Sequence, residues 1–322
     1  MRIVVTGAGG FIGSNLVRAL LEAGQLTDRA GALRAIDHML LIDSYLPDHS
    51  DCRIEQIRGD ITDNAVLQRV ESFQPDAVFH LAAVLTSAAE KDPARAMSVN
   101  VLALARLIEV TGSRSQPPRF VFPSSIAVFG GALPDTVDDD LVQHPQTSYG
   151  THKSIAELML ADATRRGEIE ARSLRLPIVL VHPGPPTSSV SDRVAAIVRD
   201  AVAGRDVTIP LKRETRIPVA SVTAVVDGLI AMHNAAPASL GGATAINLPA
   251  LTVSMADILT ALESYTASRS GKITFMPDAV LESIVEGWPK GFVSRTASAA
   301  GISADNDFGD IIRRYAESLS NA

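Results

Sequence analysis

Apolar residues fall in short β-branched runs that alternate with stretches of helical spacing. Residues 2–6, RIVVT, read as a buried strand. In the segment SNLVRALLEAG that follows, Leu16, Ala19, Leu20 and Ala23 recur at helical spacing, and Gly24 can end the helix. Further strands are expected at Met39–Ile42, at 54–57, from Asp76 to Ala83, at Arg119–Phe122 and over 172–181. Helices are expected from about 64 to 72, from Asn100 to Val110 and onward from Tyr149. Residues 25–37 read as an inserted loop or short helix. Strands alternating with helices imply parallel βαβ units, hence an α/β chain with a doubly wound parallel sheet. Further on, Pro183–Pro186 break regular structure. A helix over 191–203 ends at Gly204, residues 217–234 read as a strand and helix returning to the sheet, and 244–248 as a short strand. Helices are expected over 254–265, 278–286 and 306–319.

Composition narrows the possibilities. Apolar residues make up 46% of the 322, enough to bury a core, so disorder is excluded. The net charge of −7 argues against a nucleic-acid binder, which shows a basic stripe. No stretch of about 18 apolar residues occurs, so no membrane span is expected. The opening MRIVVTGAGG lacks the long apolar stretch and cleavage site of a signal peptide. Cys52 alone cannot form an intrachain disulfide, which points to a reducing, cytoplasmic setting. The seven histidines have no metal-ligand spacing, so no metal site is expected.

The first strand–turn–helix carries the first chemistry. Gly7, Gly10 and Gly13 stand as G-x-x-G-x-x-G between strand and helix. Glycines there allow positive φ, expose backbone N–H groups at a helix start and let a pyrophosphate approach the backbone. Asp43 ends the second strand, where an acid accepts from an adenosine ribose and repels a 2′-phosphate. No Arg or Lys lies in Asp43–Leu46 to hold such a phosphate, so NAD is favoured over NADP. Asp60, before Ile61, suits either an acceptor for the adenine amino group or a turn residue. Ala82 and Ala83 permit close approach after the fourth strand, and His80 reads as a packing residue. Gly10, Asp43, Ala82 and Ser125 all lie just past strand ends, where ligands of such sheets bind.

Tyr149 and Lys153 are four apart and share a helical face. An ammonium beside a phenol favours the phenolate and lowers a pKa that is normally about 10. Ser125, at a strand end, can donate to the same substrate oxygen. Asp138–Asp140 read as a solvated loop, and Trp288 as a core or lid anchor.

With these residues in place, the chain resembles the extended short-chain dehydrogenases, the NAD-dependent epimerase/dehydratase family. Thr6–Gly13, Gly59–Asp60, His80–Ala83, Asn100, Ser124–Ser125 with Val128–Gly130, and Tyr149 with Lys153 carry the resemblance over roughly the first 180 residues. Phe129, the run Leu180–Pro186 and the run Ile217–Ser221 depart from the sugar-nucleotide epimerases. Leu85–Glu90, Arg175–Pro177, Arg216–Ser221, Trp288–Phe292 and Arg295 are similar to the branch that oxidises D-erythronate.

The resemblance implies a Rossmann-like NAD-binding domain over 1–178, with 217–248 returning to it, and a small, mainly substrate-binding domain over 179–322. It implies cofactor contacts from Gly7, Gly10, Phe11, Ile12, Gly13, Asp43, Asp60, Ile61, Leu81, Ala82, Ala83, Asn100, Tyr149, Lys153 and Leu176. It implies Tyr149 as the base, Lys153 on the nicotinamide ribose and Ser125 orienting the substrate oxygen. On the substrate side Ser125 faces the reacting oxygen, and Thr86, Ser87 and Arg216 are placed either to meet a sugar-acid carboxylate or to make structural hydrogen bonds. The implied reaction is NAD-dependent oxidation of a secondary hydroxyl, with nucleotide-sugar 4-epimerisation as the alternative. A homodimer formed through the Tyr149 helix is also implied.

Overall fold

The computed structural model describes residues 1–112, 116–181, 190–266 and 271–320. Seven strands build its main sheet: β1 (Arg2–Thr6), β2 (His38–Asp43), β3 (Ile54–Arg58), β4 (Ala77–His80), β5 (Arg119–Ser125), β6 (Glu170–Leu176) and β7 (Ala245–Asn247). Their order is β7-β6-β5-β4-β1-β2-β3, and every neighbouring pair is parallel. The order reverses at the β1–β4 pair, which leaves a crevice at the carboxyl ends of these strands.

Alternating side chains of each strand feed two separate cores, as a sheet covered on both faces requires. Ile3, Val5, Met39, Leu41, Phe79 and Val121 pack on α1 (Phe11–Ala23) and on a helix over Val222–Asn234. Val4, Leu40, Ile42, Val78, Phe120 and Phe122 face the other way. There they meet α2 (Asn64–Phe73), α3 (Ala103–Gly112) and α4 (Ser148–Arg165). We number the Val222–Asn234 helix α5.

A third core lies apart. Strands Ile178–Leu180, Arg216–Ser221 and Leu251–Ser254 form a three-stranded sheet. Helices Val190–Val202, Met255–Thr266, Ala279–Glu286 and Phe308–Ser320 enclose it, with Val198, Ile258, Leu281 and Ile312 in one core with Ile217 of the sheet. Trp288 is partly buried against this core, and Cys52 is exposed.

Three sequence expectations change here. Residues 172–181 are two strands, one in each sheet; Pro177 between them has no N–H to continue a ladder. Residues 25–37 form a β-hairpin, Gln25–Thr27 against Leu33–Ala35. Asp28 closes it by accepting from the N–H groups of Ala30 and Ala32, with Gly31 at φ +85°. The segment returning to the main sheet begins at α5, because the strand before it pairs in the small sheet. Pro183–Pro186 lie outside the described residues.

Two buried arginines finish the back of the sheet. Arg119 and Arg172 donate to the last carbonyls of α5, at 2.6 Å to His233 O and 2.6 Å to Ala235 O, with Glu170 paired to both. His233 and, on β4, His80 are held neutral. Burial pushes both down to about 3 from an ordinary 6.5, and the charges of Arg119 and Lys153 respectively add to the shift. Between about pH 3 and 6.5 the unfolded chain then binds more protons than the folded one. The chain is expected to lose stability as pH falls through that window. Denaturant midpoints measured from pH 7 to 4 check this, and His80→Asn should flatten the slope.

Candidate active site

The turn after β1 shows why its glycines are there. Gly7 has φ +70°, and a Cβ on it would sit 2.6 Å from Ala82 N. A Cβ on Gly13 would sit 2.0 Å from Gly7 O. Gly9, which the G-x-x-G-x-x-G reading passes over, is equally constrained, with 1.8 Å to Tyr45 O. Gly10 is the N-cap of α1, and no side chain caps that helix. A cradle of bare backbone at an uncapped helix start fits a dinucleotide pyrophosphate. Phe11 and Ile12, the next two residues, are half-buried in the first turn of α1.

Asp43, at the end of β2, accepts from Gly9 N at 3.0 Å and Tyr45 N at 3.2 Å. Its carboxylate therefore shapes the turn itself. Asp60 behaves as a turn residue: it accepts from Thr62 N at 2.8 Å and from Thr62 Oγ1, and it pairs with Arg95. Partial burial opposes ionisation of Asp60, but these bonds outweigh it and hold the carboxyl below its ordinary range. Ile61 beside it is buried in the sheet core.

The loop after β4 is fixed to the first turn. Leu81 N donates to Thr6 O and Ala82 N to Thr6 Oγ1, while His80 Nδ1 shares that hydroxyl at 2.7 Å. Ala83 follows, half-buried. Asn100 then clamps Val84 from both sides, accepting from its N–H at 2.8 Å and donating to its carbonyl at 2.9 Å. Asn100 sits in a π-helical turn, Ser98–Leu102, a widening often found at functional sites.

Ser125 ends β5, and Tyr149 and Lys153 lie in the first two turns of α4. Thr147 caps that helix by accepting from Gly150 N at 3.0 Å. Gly150 has no side chain for a packing reason: a Cβ would sit 2.1 Å from Ala127 O, in the turn after Ser125. The sequence reading assigned it nothing, although it stands directly beside Tyr149. Ser125 lies beside the Tyr149 hydroxyl and favours its ionised form, while its own Oγ accepts from Ala127 N at 3.1 Å. Lys153 is 4% exposed; its Nζ donates to Pro123 O at 2.7 Å and lies 5.6 Å from the Tyr149 ring centre. Leu176, across from Ser125 on β6, is buried.

Electrostatics depart from expectation. Burial pushes the Tyr149 phenol up to about 12, and the neighbouring Ser125 only partly opposes it. Burial also pushes Lys153 down to about 7, against the pull of Glu157. Burial therefore outweighs the expected lowering of the phenol by its lysine neighbour. Its ammonium is engaged with a carbonyl and is itself costly to keep charged.

The substrate-side expectations fare differently. Thr86 and Ser87 open the short helix Thr86–Lys91 directly after the β4 loop. Arg216 is half-exposed on the small sheet, 4.0 Å from Asp135, and no described contact joins it to Tyr149. Asp139 is no solvated loop residue. Its carboxylate accepts from Asn247 N and Ser294 Oγ, each at 2.7 Å, and from Arg295 N at 3.2 Å. Among the described residues no group of His, Cys, Asp or Glu is placed to hold a metal ion, and no helix is long and apolar enough to cross a membrane.

The strand order, the bare-backbone turn and the Ser125–Tyr149–Lys153 cluster define a nicotinamide-dependent enzyme of the extended short-chain dehydrogenase type. A family model, the NAD dependent epimerase/dehydratase family, matches residues 3–247, and the chain belongs to that family. It is similar to D-erythronate dehydrogenase of Cupriavidus necator, 37% identical over 98% of each chain. The D-erythronate dehydrogenase of Haemophilus influenzae is 31% identical over 98% of this chain and 99% of its own length. Among solved structures, a nucleoside-diphosphate-sugar epimerase from Agrobacterium tumefaciens superposes with a TM-score of 0.91 at 28% identity, covering all of this chain and 95% of its own.

Proposed function

We propose that this chain oxidises a secondary hydroxyl of a small, D-erythronate-like sugar acid to the 2-oxo acid, with NAD as the acceptor. The observation that carries the reading is the placement of Ser125, Tyr149 and Lys153 at the carboxyl end of the sheet, in a chain 37% and 31% identical to two D-erythronate dehydrogenases over nearly its full length. The bound nicotinamide supplies hydride transfer at C4. The glycine turn of Gly7, Gly9, Gly10 and Gly13 holds the pyrophosphate, and Phe11 and Ile12 open the helix beneath it. Asp43 faces the ribose, and its negative charge selects NAD over NADP. Asp60, Ile61, Leu81, Ala82, Ala83, Asn100 and Leu176 line the rest of the cofactor side.

As the phenolate, Tyr149 takes the hydroxyl proton and becomes the neutral phenol, Ser125 donates to the same substrate oxygen, and Lys153, whose ammonium favours that phenolate, would hold the nicotinamide ribose. Thr86, Ser87 and Arg216 meet the carboxylate. We also propose a cytoplasmic homodimer in which two copies pair through α4. Leu158 on that helix is 70% exposed, and Leu102 before α3 is 55% exposed.

The test is a panel of four-carbon sugar acids and sugar nucleotides incubated with NAD or NADP. NADH is expected to accumulate with a sugar acid. Interconversion of a nucleotide sugar without net NADH overturns the reading.

A further inference from the structure

We propose that Glu157 is a positioning residue, which fixes the strand end carrying Ser125 against the helix carrying Tyr149 and Lys153. The proposal rests on the dehydrogenase reading above. Glu157 stands four residues after Lys153 and eight after Tyr149 on the same stripe of α4. It is 5% exposed.

Its carboxylate is fully engaged. Ser124 Oγ and Gln143 Nε2 donate to it, one to each oxygen. Arg175 Nε donates to both oxygens at 3.1 Å, and its Nη2 to Oε2 at 2.9 Å. Ser124 and Arg175 are paired residues of β5 and β6. A single side chain thus grips the last residues of two strands from the helix above them. Ser124 immediately precedes Ser125, and Pro123, which accepts from Lys153, immediately precedes Ser124. The three site residues therefore sit at the ends of one short loop of bonds: Lys153 to Pro123, Ser124 to Glu157, and back along α4.

Arg175 carries the connection further. Its Nη1 donates to Asp139 O at 3.0 Å and reaches Asn247 Oδ1 at 3.5 Å. Asp139 in turn holds Asn247, Ser294 and the backbone of Arg295. A buried ion pair gains little net stability over apolar packing, but its directional bonds specify one arrangement. At this place the arrangement specified is that of the reacting groups. The charged and titratable groups facing Lys153 are His80 from β4, held neutral, and Tyr149 and Glu157 from its own helix, with Arg175 of β6 behind Glu157.

Glu157→Gln and Ser124→Ala test this in the full chain, with kcat, KM, pH profile and NADH affinity measured for each. Glu157→Gln is expected to lower kcat about a hundredfold, the cost of a misplacement of about an ångström. KM for NAD should move by less than about threefold. The pH limb governed by Lys153 should shift to lower pH, because the carboxylate that favours its ammonium is gone. Ser124→Ala should lower kcat by about tenfold without that shift. Wild-type kcat and pH profile in Glu157→Gln overturn the proposal. If that variant does not fold, unchanged kcat in Ser124→Ala overturns it. Failure of the dehydrogenase reading looks different: the wild type makes no NADH with any sugar acid. Amide exchange over residues 123–129 then decides, rising in Glu157→Gln if the grip is real and staying at the wild-type rate if it is not.

Discussion

Tyr149→Phe is expected to fold, to bind NADH as the parent chain does, and to lose turnover by about 10²–10⁴-fold, the usual worth of a positioned acid–base group. The substitution removes only a hydroxyl. The ring stays in the first turn of α4, capped by Thr147 and seated by Gly150 against Ala127. What disappears is the hydroxyl beside Ser125, the group we propose takes the substrate proton. Burial pushes the phenol up to about 12, so forming the phenolate that takes the proton calls for a neighbouring positive charge, and the Lys153 Nζ lies 5.6 Å from the Tyr149 ring centre. Turnover of Tyr149→Phe at the parent rate removes Tyr149 from the chemistry.

Gly13→Ala is expected to lower NADH affinity by well over tenfold, more than about 1.4 kcal/mol of binding free energy. Even this smallest side chain places a Cβ 2.0 Å from Gly7 O and 2.9 Å from Ala8 Cα. Both contacts are backbone and cannot rotate away. The turn must open, and the backbone amides we propose for the pyrophosphate move with it. Titration of NADH fluorescence checks the affinity; a variant that binds NADH like the parent shows that the cradle lies elsewhere.

Much of this was legible in the sequence because it depends on local period and on turn chemistry. β1, β2, β5 and α4 follow from short apolar runs and from spacing that only one secondary structure satisfies. Gly7 and Gly13 follow because a strand feeding a helix leaves few ways to turn. Less legible was anything set by partners distant in sequence. The hairpin over 25–35 is closed by one Asp28 side chain, which a periodicity scan does not weigh. Nothing local tells that 216–221 joins the small sheet and leaves the main one to 245–247. Glu157 sat in view as an acid on the buried stripe of α4, and its partner Arg175 lies eighteen residues on. Asp139 looked like one of three solvated acids; only Asn247, Ser294 and Arg295, more than a hundred residues away, give it a task. The phenol pKa failed for the same reason, since a neighbour's charge was visible in the sequence and burial was not.

The central claim is that this chain releases a reduced cofactor for each sugar acid it oxidises. The most direct measurement is the amount of NADH formed from a limiting quantity of D-erythronate with NAD in excess and the 2-oxo acid trapped. The account predicts one NADH per D-erythronate consumed. No net NADH with D-erythronate, together with reversible conversion of a nucleotide sugar by the same preparation, contradicts it.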